Sequence, residues 1–394
     1  MPTVAQHLIA ALKSSGINRV YGLPGDSLNG FTDAIRRSED MAWEHVRHEE
    51  TAAFAATADA ALTGQLAVCA GSCGPGNTHL INGLYDAQRT RVPVLAIAAH
   101  IPLSEVGTGY FQETHPQELF RECSVYCELV STPEMAPRLV EIAMRTAIEE
   151  KNGVAVLVIP GEVFLAKLPD RDWNTKAVVP TRSVLRPDDE SLRRAADILN
   201  AGSRVTILGG AGTAGAHTEL LRLAETLNSP IVHAFRGKEH IEYENPFDVG
   251  MTGLLGFASG YKAIKEADVL LMLGTDFPYS QFYPDNAEVI QVDIRGSHLG
   301  RRTPPVDLGL VGSVKDTIDV LLPLLTRKAD RTHLDRSLNH YQRTRKSLDS
   351  LALNDRDRTP IRPEYVAGVV NQLAHDDTVF TFDVGSPTIW PRGT

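Results

Sequence analysis

A chain of 394 residues with 43% hydrophobic side chains is long enough to bury two or three separate cores. Its net charge of −10, with no clustered Lys and Arg, argues against a nucleic-acid surface, which needs a cationic face for phosphate. Four cysteines (Cys69, Cys73, Cys123, Cys127) without His or Cys at zinc-finger spacing read as small buried thiols of a reducing compartment, and no stretch is long and apolar enough to span a bilayer.

The N-terminus has no basic leader before an apolar run. Val4, Leu8, Ile9 and Leu12 fall at helical spacing behind Thr3, a suitable cap, so the chain opens on a folded helix. Apolar runs then alternate with helical patterns to about residue 160: NRVYGL, MAWEHV, QLAVCAGS, PVLAIAAH, YCELVS and GVAVLVIP are expected strands. Strands apolar on both faces and separated by helices indicate a parallel sheet covered on each side. The polar, proline-bearing stretch over 166–187 reads as a linker. A second α/β series follows over 188–330 with strands RVTILGG, PIVHAF, VLLMLGT and EVIQVDI. Residues 331–394 read as a charged helical connector, a helix PEYVAGVVNQL and a strand TVFTFDVG, the start of a third domain. The expected fold class is therefore α/β, two doubly wound parallel-sheet domains plus the start of a third.

No nucleophile elbow, zinc-protease helix or Walker loop is present. Small-residue turns instead follow strands in the first domain: GLPGDS (22–27), RHEE (47–50), AGSCGPGN (70–77) and GTGYFQETHP (107–116). In open α/β sheets, binding sites form at the carboxyl ends of strands. Glu49 and Glu50 are each a normal acid for a helix's first turn. A carboxylate in so sparsely charged a setting also suits a proton shuttle. In the second domain Gly210, Gly212 and Gly215 fit a dinucleotide-loop pattern after a strand. The acid expected about 20 residues later is missing, so a tight structural turn reads equally well.

The strings GLPGDSLNG, RHEETAAFAA, AGSCGPGNTHLINGLYD and GYFQETHPQELFRECS resemble the thiamine diphosphate-dependent pyruvate oxidase family, and most closely its flavin-containing, quinone-reducing bacterial members. HAFRGKEHIEYENPFDVGMTGLLGF and LGTDFPYSQFYP are similar to that family's flavin domain. The resemblance implies a pyrimidine-binding domain over 1–165 and an FAD-binding domain over 188–330. It implies oxidative decarboxylation of pyruvate to acetate, with FAD reoxidised by quinone, in a dimer-based, tetrameric homo-oligomer of the cytoplasm, peripheral at the inner membrane when complete. By the same resemblance Glu49 hydrogen-bonds the cofactor's pyrimidine ring and favours its imino tautomer. His79, Phe111 and Gln112 line the reacting side, Pro75 and Asn77 shape the pyrimidine pocket, and Asp26 and Ser27 lie near the substrate. FAD would meet Thr252, Gly253, Leu254, Leu255, the run Thr275, Asp276, Phe277, Pro278 and Tyr279, and Asp293. Acetolactate synthases share the architecture, but usually carry Gln where this chain has Glu50. The family's G-D-G segment for the diphosphate and Mg²⁺, with its later paired asparagines, does not occur, and Pro391 to Thr394 depart from the family pattern. The expectation is a chain truncated before the diphosphate-binding domain, without a metal site. The alternatives to a pyruvate oxidase are an acetolactate synthase-like carboligase and a non-catalytic flavin-binding fragment.

Overall fold

The computed structural model describes every residue except 150–152, 171–172, 174, 182, 303–304, 354–356, 382, 384 and 391–394. Two compact units emerge, Met1–Arg182 and Ser183–Thr394. The first contains β1 (Arg19–Gly22), β2 (Ala42–His45), β3 (Ala67–Gly71), β4 (Val94–His100), β5 (Tyr126–Leu129) and β6 (Val154–Pro160). All pair in parallel in the order β2-β1-β3-β4-β6-β5. Its main helices are α1 (Val4–Ser14), α2 (Asn29–Arg36), α3 (Glu49–Thr63), α4 (Pro75–Thr90) and α5 (Ala136–Glu149). All six expected strands form, and Thr3 caps α1 in a capping box with Gln6.

Strand alternation divides the core. Leu95, Ile97 and Ala99 of β4 join the cluster containing α1, α2 and α5, while Val94, Ala96 and Ala98 face α3 and α4. On the second side the helices are correspondingly small: Ala52, Ala53, Ala56 and Ala60 of α3 are buried. A Cβ at Gly83 of α4 would stand 2.5 Å from the Ala53 Cβ, so the bare glycine lets the two helices touch backbone to backbone.

The stretch expected as a linker is not a free tether. The Leu168 and Val178 amides donate to the Pro2 carbonyl and the Ser15 hydroxyl, and both side chains are buried in the first unit.

The second unit holds β7 (Val205–Gly209), β8 (Ile231–His233), β9 (Asp248–Met251), β10 (Val269–Leu273), β11 (Glu288–Asp293) and β12 (Leu308–Val311), parallel in the order β12-β11-β10-β7-β8-β9. The strands β9 and β12 escape the sequence reading because each is four residues long with a glycine inside it, whereas the glycine of β1 stands at its end. Helices α6 (Asp189–Ala201), α7 (His217–Leu227), α8 (Ala258–Lys265) and α9 (Val314–Leu321) cover the sheet. The charged connector forms α10 (Thr332–Leu353) and is followed by α11 (Pro363–Leu373).

One expectation is corrected here. The described residues of 378–385 form no strand. An extended segment without a neighbour to accept its ladder bonds gains nothing over solvent. Phe382, Val384 and Pro391 to Thr394 lie outside the described residues.

Candidate active site

The strand order of the first unit reverses between β1, whose chain runs on to β2, and β3, whose chain runs on to β4. Such a switch point opens a crevice at the carboxyl ends of the strands. The loops after β1, β2, β3 and β4 all emerge at that end, and they are the four turns singled out by sequence.

Glu49 and Glu50 both lie in the first turn of α3, but their side chains part company. Glu49 is 5% exposed and its Oε2 lies 3.0 Å from His79 Nδ1 on the first turns of α4. Glu50 faces outward and accepts from Asn82. With Nδ1–H donating to the carboxylate, His79 keeps Nε2 as an acceptor. His48, missed by sequence reasoning, serves the pair twice. Its Nδ1 accepts from the Glu50 amide at 3.3 Å and caps α3, and its ring stacks on His79 with centroids 4.2 Å apart. An imidazole as N-cap directly before the buried acid was the available signal.

Around this pair the β3–α4 turn is closely built. A Cβ on Gly76 would come 3.1 Å from Glu49 Oε1 and 2.7 Å from the Ser72 hydroxyl. Asn77 is fully buried; its Nδ2 donates to the Ala99 carbonyl at 2.7 Å, while its Oδ1 has no protein partner. Pro75 starts α4 and is exposed. Gln112 stands at φ 64° against Gly74, and its Oε1 accepts from the Cys73 thiol at 3.4 Å. The Ser27 hydroxyl accepts from the Cys73 amide at 3.0 Å, and Asp26 accepts from the Ser27 amide at 2.8 Å, so the loop after β1 is tied to the loop after β3. Phe111 is the outlier, 79% exposed at the tip of its loop. That loop is held by Glu113, which accepts from the amides of Gly107, Gly109 (2.7 Å) and Tyr110 (3.1 Å); these bonds keep its carboxyl below the usual range.

The cysteines are all free thiols, and Cys73 alone of the four belongs to this crevice. Burial pushes Cys69 and Cys127 up to about 12 and Cys123 to about 11, which leaves none of these three as a thiolate nucleophile near neutral pH.

In the second unit the expected flavin residues also gather at strand ends. Gly253, after β9, packs on the Phe277 ring after β10. Gln291 of β11 donates to the carbonyls of Thr275 (3.2 Å) and His298 (3.4 Å), joining the β10 loop to the one after Asp293. Asp293 is buried and accepts from the Arg295 amide at 2.9 Å. Thr252 is 3% exposed, with a hydroxyl that finds no protein partner. Asp276 stands 3.8 Å from Arg302, Phe277 and Tyr279 meet edge to face, and Leu254 and Pro278 are exposed. Leu255 is half-buried.

The Gly210–Gly215 loop resolves as a structural turn. Its Gly210 and Gly212 amides donate to the carbonyls of Leu273 and Gly274, both at 3.0 Å, and Gly212 lies directly on Gly274. Amides so engaged are not free for a pyrophosphate. No sequence signal marks the ionisable cluster of His233, Glu242 and Asp248, whose carboxylates each lie 3.6 Å from His233 Nε2.

Comparison with known proteins decides the family. The chain matches the model of the N-terminal TPP binding domain of thiamine pyrophosphate enzymes over residues 2–119 and that of their central domain over residues 192–321. It is 36% identical over 389 residues to the putative thiamine pyrophosphate-containing protein YdaP of Bacillus subtilis, covering 98% of this chain and 67% of that one. The chain belongs to the thiamine pyrophosphate enzymes. Within that family it is 30% identical over 383 residues to the pyruvate oxidase of Lactiplantibacillus plantarum, covering 96% of this chain and 63% of the oxidase. A further relative, an uncharacterized 42.6 kDa protein of Pseudomonas amyloderamosa, is 56% identical over 365 residues, covering 91% of this chain and 90% of that protein. For a thiamine pyrophosphate enzyme the first unit's crevice, with its buried acid, is the candidate active site. No helix among the described residues is long and apolar enough to cross a membrane.

Proposed function

We propose that this chain carries the pyrimidine-binding side of a thiamine diphosphate site together with a flavin site, and serves a pyruvate oxidase that passes electrons to quinone. The carrying observation is the buried Glu49 carboxylate, held by His79 in the switch-point crevice. When bound, thiamine diphosphate supplies the carbon nucleophile for a 2-keto acid and FAD takes up the electrons. The residues present fit the aminopyrimidine end: a buried carboxyl, an amide oxygen on Asn77 that lacks a partner, and a glycine at 76 where any side chain would crowd the acid.

Glu49 is placed to hold a proton at its carboxyl, and His79 fixes the orientation of that carboxyl while keeping Nε2 for a second proton. Gln112 offers an amide beside Cys73, and Phe111 at the loop tip is available to cover a bound substrate. In the second unit Thr252, Gly253, Leu254, Leu255, Thr275 to Tyr279 and Asp293 form the proposed FAD surface, where the Thr252 hydroxyl and Asp293 carboxylate suit the polar edges of a nucleotide. The likeness to a pyruvate oxidase supports pyruvate as substrate.

Mg²⁺ does not fit the residues described. Among the described residues, the one close group of three His, Cys, Asp or Glu ligands is His48, Glu49 and His79, two imidazoles and one carboxylate within 4.8 Å, whereas Mg²⁺ takes an oxygen shell. No G-D-G segment occurs in the sequence. Decarboxylation is therefore assigned to an assembly in which a diphosphate-binding part is supplied.

The test compares this chain alone with a fusion to the remaining portion of the Bacillus relative. Alone, the chain should hold FAD, seen as a flavin band near ~450 nm, and form no acetate from pyruvate with thiamine diphosphate, Mg²⁺ and an artificial electron acceptor. The fusion should form acetate. A colourless protein that FAD cannot reconstitute, or acetolactate as the fusion's product, overturns the proposal.

A further inference from the structure

Helices α8 and α10 of the second unit run side by side and leave a groove of about 560 Å³ between them. One wall carries Ser259 and Lys262 from α8 and Glu266 just past its end, at positions i, i+3 and i+7 of a single face. The other carries Arg336, His340 and Arg343 from α10, again at i, i+4 and i+7. Three permanent cations and an imidazole thus converge on one cleft in a protein whose net charge is −10.

Their charge is poorly compensated from within. Glu266 is the only acid of the lining; it pairs with Arg336 at 2.6 Å. Lys262 makes no ion pair among the described residues, and Arg343 spends its Nε on the Asn339 carbonyl of its own helix. At the base of the groove Ser259 is 1% exposed and its hydroxyl lacks a protein partner. Lys262 and Arg343 are exposed, so their charge is solvated and open to a ligand in the groove.

We propose that this groove binds a small polyanion carrying two or more phosphate groups, such as a pyrophosphate- or triphosphate-bearing metabolite. Length favours a chain of phosphates over a single phosphate or carboxylate. Seven helical residues separate Arg336 from Arg343, roughly 10 Å at 1.5 Å per residue. One tetrahedral anion cannot meet both ends, whereas a di- or triphosphate spreads its charge along the cleft. The guanidinium of Arg343 offers a fork for phosphate oxygens and Lys262 a point charge on the opposite wall. The volume falls within the range of small-ligand sites, about 300 to 1,000 Å³. His340 reports occupancy. Its pKa is held down by burial and by Lys262 and Arg343, with only Glu266 opposing them, so an anion between these cations raises it.

The inference does not depend on the thiamine or flavin assignments, and its test needs no turnover. The purified chain is titrated with inorganic tripolyphosphate, pyrophosphate and phosphate at low salt, following the His340 ring resonances by NMR and the melting temperature. Tripolyphosphate should bind saturably with Kd below about 1 mM, more tightly than phosphate, and raise the His340 pKa. The Lys262→Gln/Arg343→Gln pair should weaken it at least about tenfold, equivalent to roughly 1.4 kcal/mol. Lys346→Gln, an exposed position outside the groove, should not. Far-UV circular dichroism checks that α8 and α10 persist, and Arg343→Lys, which keeps the charge but loses the fork, should bind between the parent and the double variant. Absence of saturation by about 10 mM, tenfold above that Kd and so about 1.4 kcal/mol weaker, overturns the proposal. So does equal binding by the folded double variant or an unmoved His340.

Discussion

Two adjacent glutamates illustrate how a single side chain acquires a role. Glu49 turns into the crevice against His79 while Glu50 turns out to Asn82, although both occupy the first turn of one helix. In the fusion that supplies the diphosphate-binding part, Glu49→Gln should leave the circular dichroism unchanged and slow acetate formation at least about 100-fold, the usual yield of a positioned general acid or base. Glu50→Gln should stay within a few-fold of the parent. The reverse ranking would mean that the wrong carboxylate has been assigned. The buried pair in the second unit makes a separate prediction. Burial and Glu242 raise Asp248 to about 7, and burial lowers His233 to about 4. Taken singly, Asp248 weakens the fold as pH rises from about 4 to about 7, because the unfolded chain releases a proton the folded chain keeps. His233 weakens it as pH falls from about 6.5 to about 4, since only the unfolded chain takes that proton up. Together the folded and unfolded pairs each hold about one proton across that window, and the dependence nearly cancels. Asp248→Asn should expose the histidine's loss of stability toward acid, of order 1–3 kcal/mol between pH 6.5 and 4. His233→Gln should expose the opposite slope, a loss toward neutrality. Urea unfolding at several pH values reads both; two flat profiles would remove the pair from the stability balance.

At the scale of elements, the position of Glu49 is set by how close α3 and α4 approach. Alanines on α3 and Gly83 on α4 remove the side-chain layer between them, and the Thr57 hydroxyl bonds the Gly83 carbonyl at 3.3 Å. That approach lets a short carboxylate on one helix reach a ring on the next. Gly83→Ala places a methyl 2.5 Å from the Ala53 Cβ and 2.8 Å from the Phe54 amide nitrogen, so the helices must separate. A destabilisation of about 1–3 kcal/mol is expected by denaturant unfolding, with weakened cofactor binding in the fusion. A variant as stable as the parent would show that the helices tolerate the extra layer. The loop after β7 follows the same logic: Gly210 and Gly212 serve contact with Gly274, and their amides are spent on carbonyls.

For the whole molecule, two units with separate cores predict two transitions in calorimetry. FAD should raise the melting temperature of one transition only. At 100 times Kd the binding unit gains about 2.7 kcal/mol, and a fragment ending at Arg182 should show no flavin effect. If FAD shifts both transitions equally, or shifts that of the fragment, the flavin surface lies elsewhere. The chain spans 63% of the pyruvate oxidase and 67% of the Bacillus protein it matches; catalytic tests are made on the fusion and binding tests on the chain itself.

Alternation of apolar runs with helical patterns determined the α/β class, both parallel sheets and ten of the twelve strands, because burial on two faces writes itself into local sequence. Small-residue turns after β1 to β4 likewise marked the end of the sheet where the crevice opens. Sequence alone left Glu49 and Glu50 equivalent as first-turn acids, and only the resemblance to a family separated them; packing of α3 on α4 decides which one is buried. Tertiary structure alone revealed the engaged amides of the Gly210 loop, the His233–Asp248 pair, the short glycine-bearing strands β9 and β12, and the lack of a strand among the described residues of 378–385. Each of these depends on a partner distant in the chain: a carbonyl to accept a bond, a charge to oppose, or a neighbouring strand to pair with. Periodicity records whether a residue is buried, but hydrogen bonds and ion pairs are settled by what it is buried against.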